Sequence, residues 1–239
     1  MSMPQQAPHG FRRFLCNSCG SFIDVPIHCS SKTCGICTGI RAWRIRERIQ
    51  YAMQGLPVNS TFRWRHVTLT VKNSHDLQNR LDHLIKSFRN LRQRKLWKSS
   101  QSGGFYVIQI TEGKDGWHPH LHVVSYGCFL PWQKLLSAWR AITKDSRHVV
   151  VTSIQDGTNI GYYISKYITK ADTLSSASAF TVDEVCRNRR LFGPFGKAAE
   201  LMKRFKPPDR FYACPKCGAK EWIPDFILDM LKRQSCRHT

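Results

Sequence analysis

Three histidines recur at alternate positions in one apolar stretch of the sequence, residues 116–124. They are His118, His120 and His122, in the run Gly-Trp-His-Pro-His-Leu-His-Val-Val. Alternation with period two is typical of a β-strand, in which successive side chains point to opposite faces. All three imidazoles are therefore predicted to line one face of a sheet. Because imidazole is the commonest metal ligand in proteins, this face is a candidate metal site.

The periodicities on either side of this stretch predict an α+β core around a central antiparallel sheet. The expected order is β-α-β-β-α-β-α, as in ferredoxin-like and RRM-like folds, with the helices on one face of the sheet. The strands are expected at 62–71, 105–112, 117–126 and 147–154, and the helices at 77–97, from Pro131 onward and at 158–171. A hairpin loop at 113–116 would bring Glu112 towards the histidines.

The charge of the chain points to a polyanionic partner. Among 239 residues, Lys and Arg number 37 against 16 Asp and Glu, which gives a formal net charge of +21. Basic residues recur beside aromatic ones, as in Phe62-Arg63-Trp64-Arg65, a pattern that suits single-stranded nucleic acid. Arg63 and Arg65 are therefore candidate DNA contacts. Since the sequence shows neither an apolar run of membrane-spanning length nor a signal-peptide core, a cytoplasmic protein is expected.

Ten cysteines in an intracellular chain indicate metal sites more than disulfides. Near the N-terminus, Cys16-x2-Cys19 and Cys34-x2-Cys37 have the spacing of a zinc ribbon, in which each pair aims two thiolates at one ion. Cys29 lies between the pairs and could displace one of the four. This cluster predicts a structural zinc module at residues 10–45.

A second cysteine cluster lies near the C-terminus. Cys214-Pro-Lys-Cys217 is followed by a glycine that is typical of a tight turn, and Cys236 and His238 offer an irregular second pair. These four residues are candidate ligands of a second zinc ion. The chain is thus divided into a zinc module, a core at 60–172 and a basic C-terminal region at 180–239.

The last helix of the core carries two tyrosines and two lysines. Tyr163 and Tyr167 are four residues apart and share one helical face, and Lys166 and Lys170 lie on the adjacent stripe. An aromatic core stripe would explain the tyrosines but seldom carries lysines in the same turns. A tyrosine hydroxyl can attack phosphorus where a metal polarises a phosphodiester. Lys166 could then hold a phosphate oxygen, and Lys170 is a candidate DNA contact.

Three motifs in this order resemble the HUH endonucleases, which start rolling-circle replication and related DNA transposition. They are the strand His66-Val-Thr-Leu-Thr70, the segment at 118–122 and the run Tyr-Tyr-Ile-Ser-Lys-Tyr-Ile-Thr-Lys at 162–170. The tyrosine spacing is similar to that of initiators from single-stranded DNA phages. The N-terminal cysteines are similar to those of transposases and plasmid initiators that carry a zinc domain.

The resemblance implies a fold, a site and a reaction. His120 and His122 would be the metal pair, and Glu112 or His118 the third ligand. A Mg²⁺ or Mn²⁺ ion would polarise a phosphate of single-stranded origin DNA. Tyr163 and Tyr167 would be nucleophiles that form a 5′-phosphotyrosine and leave a 3′-hydroxyl as primer. A host helicase and a host polymerase are the implied partners.

Two other functions fit parts of the sequence. A transposase with the same chemistry would account for the cysteine module, although such enzymes are usually longer. A noncatalytic zinc-containing regulator that binds nucleic acid would account for the charge and the cysteines. The regulator leaves the alternating histidines and the tyrosine pair unexplained, so a rolling-circle replication initiator is the leading hypothesis.

Overall fold

The structure, a computed structural model, describes residues 10–29, 31–146, 148–155, 159–168, 174–206 and 213–224. The chain divides into two compact units. The first unit combines Met1–Cys29 with Lys206–Thr239, and the second is Ser30–Phe205. This division differs from the one expected from the sequence, because both chain ends fall in one unit.

The first unit is built on a three-stranded antiparallel sheet. Its strands are β1 (Phe11–Cys16), β2 (Phe22–Pro26) and β8 (Trp222–Pro224), in the order β2-β1-β8. Cys16 at the end of β1 pairs with Trp222 of β8. The segments before and after the second unit therefore share one sheet, which no local sequence pattern indicates.

The second unit contains a five-stranded antiparallel sheet in the order β6-β3-β5-β4-β7. Its strands are β3 (Arg63–Thr70), β4 (Gln101–Gly113), β5 (Gly116–Gly127), β6 (Val149–Ser153) and β7 (Phe192–Gly196). Its helices are α1 (Gly35–Gln54), α2 (Leu77–Gln93), α3 (Lys95–Ser100), α4 (Trp132–Thr143), α5 (Ile160–Ile168), α6 (Ser176–Cys186) and α7 (Lys197–Arg204). The predicted α+β fold with a central antiparallel sheet is confirmed.

Helices cover both faces of this sheet, so the expectation of helices on one face was wrong. Alternate strand residues such as Leu69 and Leu121 pack with α2 and α4 in one apolar cluster. Residues of the opposite parity, such as Trp64 and Val124, pack with α1, α5 and α7 in another. A strand with apolar side chains at both parities needs cover on both sides. In the described ranges, no helix is long and apolar enough to cross a bilayer.

Helix α2 shows how local sequence sets an element that supports the sheet. The carboxylate of Asp76 accepts a hydrogen bond of 3.0 Å from the backbone N–H of Asn79 and caps the first turn. Leu77, Leu81 and Leu84 recur at helical spacing and are buried against the sheet. This helix lies on the face away from the histidines, so it supports the sheet without closing the site.

Candidate functional site

The three alternating histidines lie on one face of the sheet at its centre. In β5, His120 is opposite Thr70 of β3 and Gln109 of β4, and His122 is opposite Thr68 of β3. The imidazole rings of His118 and His120 are 4.1 Å apart between centroids. The face carrying these rings is the one against which α5 packs, so the histidines meet the tyrosine helix.

Glu112 does not join the histidines. It is opposite Trp117 across the β4–β5 hairpin, and this places it on the other face of the sheet. Its carboxylate accepts a hydrogen bond from the hydroxyl of Ser178 in α6. The expectation that the hairpin brings Glu112 towards the histidines was therefore wrong. The register of the hairpin, in which Gly113 is opposite Gly116, determines the face of the sheet on which Glu112 lies.

His66 lies at the centre of the site. Its Nε2 is 3.3 Å from Nδ1 of His122, and its Nδ1 is 3.1 Å from the hydroxyl of Tyr163. The other ring nitrogen of His122, Nε2, is 3.0 Å from Oε1 of Gln109. The tyrosine helix and the histidine strand are thus connected by a continuous run of polar contacts through a side chain on β3.

Both tyrosines of α5 face the histidines. The ring of Tyr167 stacks on the ring of His122 with centroids 3.8 Å apart. Tyr163 meets His66 edge to face at 5.1 Å, and the two tyrosine rings are 5.9 Å apart. The shared helical face predicted for Tyr163 and Tyr167 is therefore turned towards the sheet.

Burial keeps the central imidazoles neutral. It lowers the pKa of His66 to about 4, and the nearby charge of Lys166 contributes. Burial, with a smaller contribution from His118, likewise lowers the pKa of His120 to about 4. Burial and a hydrogen bond with Tyr163 raise the pKa of Tyr167. Neutral imidazoles retain a lone pair and can act as metal ligands near pH 7.

Lys166 places its positive charge beside both tyrosine rings. Its Nζ is 4.0 Å from the ring centroid of Tyr163 and 4.9 Å from that of Tyr167. The neighbouring Tyr162 is 63% exposed and instead meets the guanidinium of Arg46. Lys170, the other predicted lysine, lies outside the described residues.

An open cavity of about 1090 Å³ lies beside the histidine face. Thr70 and His118 form its wall next to the site, and Lys72, Lys144 and His148 contribute basic groups. Asp145, also in the wall, forms an ion pair with Arg80 at 2.5 Å. Asp115 also lines the cavity, so its wall next to His118 carries two lysines and two aspartates, one of which is paired with Arg80.

The two arginines predicted as DNA contacts have different environments. Arg63 is exposed. Arg65 is buried, and its Nη1 donates to the backbone carbonyls of Gly127 and Cys128 at 2.9 and 2.8 Å. Desolvation lowers the pKa of Arg65. The prediction that Arg65 contacts DNA does not agree with this arrangement, because its guanidinium is engaged inside the fold.

Four cysteines of the first unit form a compact thiol cluster. The Sγ atoms of Cys16 and Cys217 are 3.6 Å apart, as are those of Cys19 and Cys214. All four Sγ atoms lie within 4.8 Å of one another. A tetrahedral zinc ion with Zn–S bonds of about 2.3 Å separates its sulfurs by about 3.8 Å. The cluster could therefore hold a metal ion such as zinc.

The two Cys-x2-Cys segments of this cluster have matching backbone geometry. Gly20 and Gly218 have φ values of +70° and +75°, and each donates its N–H to the carbonyl of the first cysteine of its pair. The hydroxyl of Ser21 lies 3.0 Å from Sγ of Cys19 and 3.1 Å from Sγ of Cys214. The Ser21 hydrogen bond lowers the pKa of Cys214 to about 6 and favours its thiolate form.

The thiols of Cys16 and Cys19 lie with those of Cys214 and Cys217 and not, as predicted, with those of Cys34 and Cys37. Cys34 and Cys37 lie in the second unit, where Cys34 caps the N-terminus of α1 and Cys37 is buried in its first turn. A segment that forms a helical turn does not adopt the knuckle conformation of the two matched pairs. Cys29 is the last residue of the first unit and belongs to neither pair. Cys236 and His238 lie outside the described residues.

Three residues of these sites escaped the sequence reasoning. His66 belongs to the motif at 66–70 but is not among the predicted site residues, although its alternation with Thr68 indicates the same face once β3 pairs with β5. Gln109 is placed beside His122 only by the β4–β5 register. No sequence pattern indicates a role for Ser21, apart from its position directly after the glycine that follows Cys16-x2-Cys19.

Comparison with known proteins supports the resemblance inferred from the motifs. Residues 21–127 match the model of a family described as replication protein. A protein named Protein rep from a Bacillus species is 33% identical over 105 residues, which cover 40% of this chain. Another Protein rep, from Staphylococcus aureus, is 28% identical over 155 residues, which cover 58% of this chain and 68% of the relative. The predicted resemblance to replication proteins is thereby confirmed.

The aligned segments cover only part of each of these proteins. The alignment spans 33% of the Bacillus relative and 30% of a further Protein rep from Bacillus amyloliquefaciens, which is 32% identical. The family match includes the histidine strand but ends before α5. No solved structure matches this chain. The role of the tyrosines therefore depends on the geometry of the site.

Proposed function

We propose that this protein is a rolling-circle replication initiator that nicks and rejoins single-stranded DNA through a covalent bond to tyrosine. The observation that carries the proposal is the meeting of α5 with the histidine face, with Tyr163 against His66 and Tyr167 against His122. An aromatic core stripe explains buried rings, but it does not explain a tyrosine hydroxyl that is hydrogen-bonded to a neutral histidine beside a lysine. Those groups are the components of a phosphoryl-transfer site.

The proposed reaction exchanges one ester for another. The hydroxyl oxygen of a tyrosine attacks the phosphorus, and the bond between phosphorus and the 3′ oxygen breaks. The phenolic proton is released to water and the 3′ oxygen takes one up, so a 5′-phosphotyrosine and a 3′-hydroxyl result. Lys166 lies beside both rings and would neutralise a non-bridging phosphate oxygen. The second tyrosine permits a second transfer without an external energy source.

The histidine face fits a divalent cation in its chemistry. His120 and His122 would hold the ion, and His118 is the better candidate for a third ligand because Glu112 lies on the other face. For this, Nε2 of His122 would exchange its contact with Gln109 for the ion. A bound Mg²⁺ or Mn²⁺ would act as a Lewis acid on the scissile phosphate. Within the described part of the chain, no three histidine or carboxylate ligand atoms lie within 4.8 Å of one another.

Zinc is the proposed metal of the thiol cluster. Four thiols that include a deprotonation-prone Cys214 are the ligand set of a structural zinc site. The hydroxyl of Ser21, which has a single proton, would donate to the coordinating sulfur of either Cys19 or Cys214 and support the site. The ion would then stabilise a small unit that has a sheet of only three strands.

The substrate is proposed to be single-stranded DNA at a replication origin, reached in the cytoplasm of a bacterial host. The net charge of +21 and the lysines of the open cavity favour a polyanion. A host polymerase would extend the 3′-hydroxyl, and a host helicase would separate the strands. The names of the relatives favour replication over transposition, and the tyrosine–histidine contacts favour an enzyme over a noncatalytic regulator.

The test is an assay for a covalent complex. The purified full chain is incubated with Mn²⁺ and single-stranded oligonucleotides that tile its own replicon, and the products are separated on a denaturing gel. We expect one oligonucleotide to give a protein adduct together with a product that a polymerase can extend from its 3′ end. Binding in a native gel without any adduct would instead support the noncatalytic regulator.

A further inference from the structure

A second cavity lies beside α5, where β7 begins to pair with β4. Its volume is about 170 Å³, and Tyr167 forms part of its wall, so we call it the Tyr167 cavity. The ring of Tyr167 also stacks on His122 of the candidate site with centroids 3.8 Å apart. A group bound in this cavity would therefore be a direct neighbour of a proposed nucleophile.

Part of the wall of the Tyr167 cavity is apolar and comes from three different elements. Ile45 belongs to α1, Val107 to β4 and Phe192 to the start of β7, and all three pack on the α5 side of the sheet. An apolar cavity of about 150 Å³ is sufficient to hold a benzene ring, whereas drug-sized ligands need about 300–1,000 Å³. The Tyr167 cavity therefore has room for one small aromatic ring, such as a pyrimidine base.

The charged side chains in this wall are all basic. They are those of Lys32, Arg41, Arg189 and Arg190, and within the described ranges no carboxylate lines the cavity. Arg189 is paired with Asp82, which lies outside the wall. Because like charges beside an apolar surface repel one another, an anion such as a DNA phosphate would stabilise this arrangement.

The segment that carries Lys32 is held in place by hydrogen bonds within the second unit. Asp183 of α6 accepts from the backbone N–H groups of Lys32 and Thr33 at 2.6 and 3.1 Å, and from the hydroxyl of Thr33 at 3.1 Å. Nη2 of Arg41 donates to the carbonyl of Ser31 at 3.1 Å. The basic part of the wall is therefore preorganised, which lowers the cost of binding a ligand there.

We propose that the Tyr167 cavity binds a pyrimidine base of the single-stranded DNA, from a nucleotide that flanks the scissile phosphate. Lys32 and Arg190 would bind the phosphate of that nucleotide. The inference rests on the nicking reaction proposed above and adds a site that selects one base of the origin by its size. Its physical basis is that proteins bind single strands by combining cations for the backbone with aromatic and apolar surfaces for the bases.

Binding without cleavage tests the cavity directly. The full chain is titrated, in the absence of divalent cations, with five-nucleotide strands that are abasic except at the central position. Fluorescence anisotropy with a labelled competitor gives each affinity. A central thymine should increase the affinity about tenfold over a fully abasic strand, and a central adenine less than about twofold. Equal gains for the two bases, or no gain for either, would overturn the proposal.

Two substitutions of Leu191 change the size of the cavity in opposite directions. Leu191 is half-buried and lines the cavity. Leu191→Trp should fill the cavity and abolish the gain from thymine, while the affinity for the abasic strand stays unchanged. Leu191→Ala should enlarge it, so that the gain from adenine approaches that from thymine. If Leu191→Trp does not fold, Leu191→Ala decides, and an unchanged preference for thymine in that variant would overturn the proposal.

A charge variant tests the phosphate contact. Arg190→Gln should reduce the slope of log K against log salt for the thymine strand by about 0.7, as expected for one phosphate contact. Arg187→Gln is the matched control, because this arginine is also exposed but does not line the cavity. An equal reduction in both variants would mean that the attraction comes from the general surface charge, and Arg190 would lose its assigned role.

Adduct formation tests the position of the base relative to the nick. On an oligonucleotide that forms the covalent adduct, replacing one flanking pyrimidine with an abasic residue should slow the reaction about tenfold. The same replacement should have no effect in Leu191→Trp. If no flanking position is sensitive in the wild type, the inference is wrong. Absence of any adduct while the wild type retains its preference for thymine contradicts the nicking reaction and not the binding of the base.

Discussion

The thiols of Cys16 and Cys217 lie 3.6 Å apart although 201 positions separate them along the chain. They join the N-terminal and C-terminal segments in one unit. The same distance joins Cys19 to Cys214. A metal bound by these four thiols would act as a cross-link between distant parts of the chain, and this arrangement gives a specific prediction for each cysteine.

Cys16→Ser and Cys214→Ser should each remove the same zinc ion. Metal analysis of the purified variants should show a loss of one equivalent per chain in either single variant and no further loss in the double variant. Additive losses would mean that the two residues bind different ions, as the sequence alone suggested. Cys128→Ser is the matched control, since this thiol lies outside the cluster, and it should retain the wild-type zinc content.

Arg65→Met should destabilise the protein without weakening its binding to DNA. The substitution removes the Arg65 donor from the carbonyls of Gly127 and Cys128, of which Cys128 keeps a hydrogen bond from Gln101, and the loss costs about 1–3 kcal/mol in the free energy of unfolding. Denaturant titration measures this loss. Arg63→Met, at the exposed neighbour on the same strand face, should leave the stability within about 0.5 kcal/mol of wild type. A large loss of DNA affinity in Arg65→Met at full stability would contradict the structural role.

The lysines of the open cavity should contribute to the salt dependence of DNA binding. Replacing Lys72 and Lys144 together with alanine should reduce the slope of log K against log salt for single-stranded DNA by about 1.4, or about 0.7 per phosphate contact. Fluorescence anisotropy at several salt concentrations gives this slope. Lys86→Ala is the control, because this exposed lysine lies on α2 and does not line the cavity. An unchanged slope in the double variant would exclude the cavity as a DNA path.

Local periodicity was sufficient to predict the histidine face and the tyrosine face. Side chains alternate strictly along a strand, so the placement of His118, His120 and His122 follows from their spacing alone. Tyr163 and Tyr167 share a helical face for the equivalent reason. The order of strands and helices between β3 and α5 followed from the same periodicities, except that the helix predicted at 77–97 is divided into α2 and α3. The fifth strand of the sheet, β7, was not predicted.

Register and long-range pairing lay beyond what the sequence could specify. Between Gly103 and Gly113, β4 pairs with β5 in a single register that places Glu112 opposite Trp117. A register shifted by one residue, with a longer loop, would have placed Glu112 opposite His118. Long-range strand pairing also determines which cysteine pairs share a cluster. Three Cys-x2-Cys segments are interchangeable by spacing, and only the β1–β8 pairing selects Cys214 and Cys217 as partners of Cys16 and Cys19.

The most direct test of the central claim is adduct formation by tyrosine variants on a reactive single-stranded origin oligonucleotide with Mn²⁺. The account predicts that Tyr163→Phe with Tyr167→Phe abolishes the adduct on a denaturing gel, while Tyr162→Phe forms it at the wild-type level. An adduct that persists in the double variant would contradict the account, because the nucleophile would then lie outside the tyrosine–histidine site.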